Sequence, residues 1–124
     1  NHVGDIAELV NIAEPTHGMI TNIGRAHLEG FGSYEGVIKA KTEMYDFLRS
    51  HGGTLFVNGD DPLLMSRSEG VARVTYGTSP QNGTQGAAQG TDSPFLHVVF
   101  RNKDVEGNCV VHYYRDLFQI IHLL

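Results

Sequence analysis

YEGVIKAKTEMYDFLRSHGGTLFV, residues 34–57, contains the pattern of an amphipathic helix followed directly by that of a buried strand. Apolar residues recur three, four and seven positions apart in the first part, which is helical spacing. Ser33 is placed to cap the helix and Gly52-Gly53 to stop it, so a helix is predicted over Tyr34–Arg49. Thr54–Val57 follows as a short run of β-forming residues. The stretch therefore predicts a helix and a strand of an α/β sheet.

The same pattern continues on both sides of this stretch. Asp5–Ala13 has helical spacing and is ended by Pro15, and Gly18–Ile23 has the pattern of a buried strand in a sheet covered on both faces. Downstream, an Asn-Gly-Asp-Asp-Pro turn opens a short helix, and Val71–Tyr76 is predicted as a third strand. Strands alternating with helices predict a parallel α/β sheet flanked by helices.

The remaining sequence has a different character. Residues 78–94 are rich in Gly, Gln, Thr and Ser, with few apolar residues to offset the entropy of ordering, so we expect a mobile connection. Leu96–Phe100 and Cys109–Tyr113 are rich in β-formers and predict a small antiparallel hairpin. The chain is thus expected to form one incomplete domain: an α/β part at 1–77, the connection at 78–94, and the hairpin and tail at 95–124.

The composition excludes several classes of protein. The 124 residues carry a formal net charge of −5, which does not favour binding to nucleic acid or to an anionic membrane. No run approaches the roughly 20 apolar residues that cross a bilayer. Cys109 is the one cysteine, so an intrachain disulfide is impossible and a reducing compartment, the cytoplasm, is expected.

Lys41 is unusual because it lies within the apolar stripe of the main predicted helix. Six apolar or aromatic residues lie three, four or seven positions from it: Tyr34, Val37, Ile38, Met44, Tyr45 and Leu48. Burying an ammonium is costly, so such a lysine extends to water, pairs with a carboxylate or loses its proton. The spacing of residues in the helix does not decide between these three outcomes. Lys39 points away from the stripe and is expected to be an ordinary solvated lysine.

Polar residues are predicted at the carboxyl edge of the sheet, where open α/β sheets bind ligands. His27 and Asn22 follow or close one strand, and Asn58, Asp60 and Asp61 follow the next. We regard these as candidate binding residues, although Asn and Asp are also common in turns and helix caps. A glycine-flanked nucleophilic serine and a GxxxxGK[ST] phosphate loop are both absent from the sequence.

TNIGRAHLEGFGSYEGVIKAKTEMYDFL, residues 21–48, resembles the central ATPase domain of the bacterial cell-wall amide ligases, the Mur ligase family. The likeness extends upstream through NHVGDIAEL and downstream through NGDD and YGTSP to about Pro94, and it fades after Phe100. AHLEGFGS is most similar to the member that adds D-alanyl-D-alanine. The resemblance implies a partial P-loop-type fold whose phosphate loop and one magnesium-binding glutamate precede Asn1, with N-terminal and C-terminal domains missing.

The resemblance also implies roles for particular residues. His27 would help to hold Mg²⁺, or Mn²⁺ in its place, and Lys41 would be carbamylated by carbon dioxide to give an oxygen ligand. Asn58, Asp60 and Asp61 match a segment near the ATP. The implied reaction in peptidoglycan synthesis joins UDP-N-acetylmuramoyl-tripeptide to D-alanyl-D-alanine through an acyl phosphate, and this segment is not expected to turn over alone.

Two other functions remain open from the sequence. A folyl-polyglutamate or cyanophycin type ligase would use the same lysine and histidine chemistry, but the AHLEGFG motif argues against it. A noncatalytic α/β binding module would use Lys41 and His27 structurally. That module would show no response to metal and an unmodified lysine.

Overall fold

The computed structural model describes residues 2–24, 33–90 and 95–114. Within these ranges the chain forms three helices and six strands, in the order α1 (Asp5–Ala13), β1 (His17–Met19), α2 (Tyr34–His51), β2 (Thr54–Asn58), α3 (Pro62–Arg67), β3 (Ala72–Gly77), β4 (Thr84–Gln89), β5 (Phe95–Asn102) and β6 (Val105–Tyr114). β1 and β2 pair in parallel, and β4, β5 and β6 pair antiparallel in chain order. Two compact units result, one ending at Thr75 and the other beginning at Tyr76.

Helix α2 forms as predicted and ends two residues later. The Ser33 hydroxyl accepts a hydrogen bond from the Gly36 N–H at 3.1 Å, which satisfies one of the free donors of the first turn. Gly52 closes the helix with φ 68°, in the left-handed region that favours glycine. The buried residues of α2 include Tyr45 and Leu48, both fully inaccessible, so this helix supplies much of the core of the first unit.

Helix α2 packs on one face of the parallel sheet of the first unit. β1 and β2 pair in parallel with Gly18 opposite Leu55. Gly18 lies directly beneath α2, because a Cβ there would come within 2.7 Å of the Met44 Sδ. Leu55 and Val57 are fully buried on this face. Close approach of the helix to the strand therefore depends on the missing side chain at Gly18.

Two expectations about the first strands need correction. The strand at Gly18–Ile23 is too long, because β1 covers only His17–Met19. The sheet is also not covered on both faces within the described residues, since Met19 and Phe56 are 50% and 38% exposed and oppose each other in the ladder. Ile20 and Ile23 are nevertheless buried, and their spacing of three differs from the alternation of a strand.

The other elements of the first unit agree with the sequence predictions. α1 has the predicted bounds, α3 follows the Asn-Gly-Asp-Asp-Pro turn, and β3 is shifted by one residue from Val71–Tyr76. No helix in the described residues is both long and apolar enough to cross a bilayer.

The second unit confirms the hairpin and corrects the expected connection. β5 and β6 pair antiparallel from Asn102↔Val105 outward, so the strands are longer than predicted and the turn is shorter. Residues 84–89, expected within a mobile connection at 78–94, form β4 and pair antiparallel with β5. Composition misled here because the backbone hydrogen bonds of a strand depend on a partner strand, and β5 supplies it.

Candidate functional site

Lys41 extends from the buried stripe of α2 to the segment that follows β1. The residue is half-buried, and its Nζ donates a hydrogen bond to the Asn22 backbone carbonyl at 3.3 Å. The alkyl stem thus lies along the apolar face while the polar end finds an acceptor. Lys39 is exposed, as predicted. The structure brings together two of the predicted site residues, Lys41 and Asn22.

A second side chain of α2 binds the same segment. Tyr34, seven positions before Lys41, donates its hydroxyl to the Ile23 carbonyl at 3.4 Å. The carbonyls of Asn22 and Ile23 therefore bond to α2 instead of to β2. These two contacts connect the segment after β1 to α2.

His27 lies outside the described residues, so its predicted place beside Lys41 stays a prediction. Among residues 2–24, 33–90 and 95–114, no group of three or more His, Cys, Asp and Glu side chains is arranged to hold a metal ion.

Asn58 and Asp61 shape the turn between β2 and α3. The Asn58 Oδ1 accepts a hydrogen bond from the Asp60 N–H at 3.0 Å, which forms an Asx turn. The Asp61 Oδ1 accepts from the N–H groups of Leu63 and Leu64 at 2.9 and 3.1 Å, so Asp61 is the N-cap of α3. Both residues thus have local structural roles, and their contact with a nucleotide stays a prediction.

The cap at Asp61 gives a prediction about stability. Asp61→Ala removes the acceptor for two N–H groups, and we expect it to lower the free energy of unfolding by about 1 kcal/mol. Asp61→Asn keeps a capping oxygen and should stay within about 0.5 kcal/mol of the original, since Asn and Asp are similar N-caps. Urea unfolding of the three proteins measures the difference. An equal loss in both variants would contradict the capping role.

Glu43 makes polar contacts with α1 that the sequence predictions missed. Its Oε1 accepts from the Gly4 N–H at 2.7 Å and its Oε2 from the Ala7 N–H at 2.9 Å. No local pattern around Glu43 indicates these contacts, because the partners lie 39 and 36 positions away in the sequence. Beside it, Asp5 accepts from the His2 N–H at 2.7 Å, and this hydrogen bond lowers the pKa of the Asp5 carboxyl.

Curated relatives match the chain over most of its length. The UDP-N-acetylmuramoyl-tripeptide–D-alanyl-D-alanine ligase of Bacillus subtilis is 38% identical over 82 residues, which are 66% of this chain and 18% of the relative. The enzyme of the same name from Escherichia coli is 46% identical over 80 residues, 64% of this chain and 18% of the relative. The chain thus spans less than a fifth of the length of these relatives.

The fold also matches solved structures. The MurF ligase of Thermotoga maritima, solved in complex with ADP, superposes with a TM-score of 0.74 over 98% of this chain and 28% of that one. At 22% identity this likeness shows the shared fold. The family model described as the Mur ligase middle domain matches residues 1–112. The α/β fold and this match together show that the chain belongs to the Mur ligase middle domain family.

Proposed function

We propose that this chain is part of an ATP-dependent ligase that joins D-alanyl-D-alanine to UDP-N-acetylmuramoyl-tripeptide in peptidoglycan synthesis. The observation that carries the proposal is the 46% identity to the Escherichia coli ligase of that name. ATP as the energy source is supported by the ADP complex of the Thermotoga maritima relative. The cytoplasm is the proposed compartment, in keeping with a single cysteine and no possible intrachain disulfide.

The proposed reaction has two steps. The tripeptide carboxylate attacks the γ-phosphate of ATP, which forms an acyl phosphate and releases ADP. The amine of the dipeptide then attacks the acyl carbon, phosphate leaves, and an amide bond remains. In such a reaction the protein contributes mainly by positioning the reactants and neutralising charge.

The surroundings of Lys41 fit a carbamylated side chain. A carbamate forms when the neutral amine attacks carbon dioxide and loses a proton, and the nitrogen keeps one N–H. That N–H can still donate to the Asn22 carbonyl, 3.3 Å from the Nζ. Repulsion from the same carbonyl would favour turning the new anionic oxygens away from it. The half-burial of Lys41 limits the mobility of the group.

We propose that Lys41, as its carbamate, and His27 hold a divalent cation, Mg²⁺ or Mn²⁺. Oxygen ligands suit Mg²⁺ better than imidazole does, so the carbamate would be the stronger contributor. The cation would supply charge stabilisation at the transferring phosphoryl group. Asn22, Asn58, Asp60 and Asp61 are proposed to lie near the nucleotide, on the basis of their place after the strands.

The function is tested in the full-length ligase that contains this segment. The purified enzyme is incubated with ATP, Mg²⁺, UDP-N-acetylmuramoyl-tripeptide and D-alanyl-D-alanine, and the pentapeptide product and ADP are measured. We expect equal amounts of both, and no product when the dipeptide is omitted. Activity with glutamate on a folyl acceptor in place of these substrates would contradict the proposal.

A further inference from the structure

The first turn of α1 is capped by a residue from another helix. Gly4 is the N-cap and has no side chain that can accept from the free N–H groups of this turn. Glu43 of α2 takes this role, with one carboxylate oxygen on the Gly4 N–H and the other on the Ala7 N–H. A carboxylate also complements the positive end of the helix dipole. The start of α1 is therefore held by a residue nearly 40 positions later.

Glu43 and Lys41 belong to the same turn of α2. A helix rises 1.5 Å and rotates by about 100° per residue, so the two side chains leave it about 3 Å apart along the axis and in different directions. Lys41 reaches the Asn22 carbonyl, and Glu43 reaches the N-terminus of α1. One turn of α2 thus fixes both the segment that follows β1 and the segment that precedes α1.

We propose that Glu43 is a positioning residue for the ligation reaction, which holds the segment ahead of α1 in register with Lys41. The proposal rests on the proposed function. Two features support it: the contact uses both carboxylate oxygens, and Gly4 has φ 103°, a backbone conformation that favours glycine. A local Ser or Asp cap would satisfy α1 equally well but would not connect it to α2.

Glu43→Gln is the decisive substitution because it keeps the size of the side chain. An amide has one oxygen, so its NH₂ group would face one of the two backbone donors, and that hydrogen bond is lost. Glu8→Gln is the matched control, since Glu8 lies exposed in the first turn of the same helix and loses the same charge. Both variants are made in the full-length ligase.

We expect Glu43→Gln to lower kcat by up to about 100-fold, the cost of misplacing reacting groups by about 1 Å through a change away from the chemistry. The KM values for both substrates should change little, and hydrogen exchange at the Gly4 and Ala7 amides should accelerate. Glu8→Gln should leave kcat and the exchange rates unchanged. Activities are expressed per folded enzyme, so that a loss of stability alone does not lower kcat.

Three outcomes would overturn the role. They are an unchanged kcat in Glu43→Gln, a loss of activity that matches the loss of folded protein, and an equal fall in kcat in the Glu8→Gln control. If the unmodified enzyme is active, each of these leaves the proposed function standing. If the unmodified enzyme itself forms no product from the two substrates, the proposed function fails and this role fails with it.

Discussion

Replacing Lys41 with alanine is expected to lower the activity of the full-length ligase by at least about 100-fold, the loss typical of removing one group that stabilises charge in a transition state. The variant removes the nitrogen that bonds to Asn22 and, with it, the site of carbamylation. Its protein should remain folded, because the lost hydrogen bond is near the surface. ATP-dependent product formation is the measurement, with circular dichroism as the check on folding.

Lys39→Ala is the control for Lys41→Ala. It lies two residues earlier on the same helix, is exposed, and is the same amino-acid replacement. Activity should remain within about twofold of that of the unsubstituted enzyme, as expected for a surface substitution away from the site.

The unsubstituted enzyme should also lose activity when bicarbonate and carbon dioxide are removed and regain it when they return. Full activity in Lys41→Ala would contradict the carbamate mechanism.

Leu48→Ala should have the largest effect on stability, about 2 to 5 kcal/mol, because a fully buried leucine leaves a cavity. Leu48 also packs against Gly53, where an added Cβ would contact its Cδ2 and lie 2.9 Å from the Thr16 carbonyl oxygen. That oxygen cannot move freely, since it accepts the Thr54 N–H at 3.0 Å. Gly53→Ala should therefore cost about 1 to 3 kcal/mol through overpacking.

The two substitutions should not be additive. Removing the Leu48 side chain makes room for the new methyl group, so the double variant should be less destabilised than the sum of the single variants. Urea unfolding of the four proteins in the cycle measures the coupling. Leu9→Ala is the matched control, because Leu9 is 62% exposed and its loss should cost no more than about 0.5 kcal/mol. Equal losses at Leu48 and Leu9 would contradict the assigned core.

Local signals account for the elements that were predicted well. The bounds of α2 follow from helical spacing, a serine cap and a glycine stop, and all three lie within the helix or next to it. β4 was missed because its stability comes from pairing with β5, which no local pattern of residues 84–89 reveals. The end of β1 was missed because apolar residues continue to Ile23, whereas the strand ends at Met19.

The sequence likewise identified some residues of the candidate site and missed others. Lys41 stood out because a charge interrupts an apolar stripe, which is visible in the sequence. Glu43 did not, because a glutamate on a helix is ordinary and its partners, Gly4 and Ala7, lie on another helix. Asn58 and Asp61 were identified as polar residues after a strand, and the structure adds that they form the turn and cap. These roles depend on which residues are close in the folded chain, and the spacing of residues in the sequence does not reveal that.

The carbamate on Lys41 is tested most directly by carbon-13 NMR of the full-length ligase in ¹³C-bicarbonate near neutral pH. We predict a carbamate signal that is present in the original enzyme and in Lys39→Ala and missing from Lys41→Ala. The signal should shift when Mg²⁺ is added. An active enzyme without any Lys41-dependent carbamate signal would contradict the proposed mechanism.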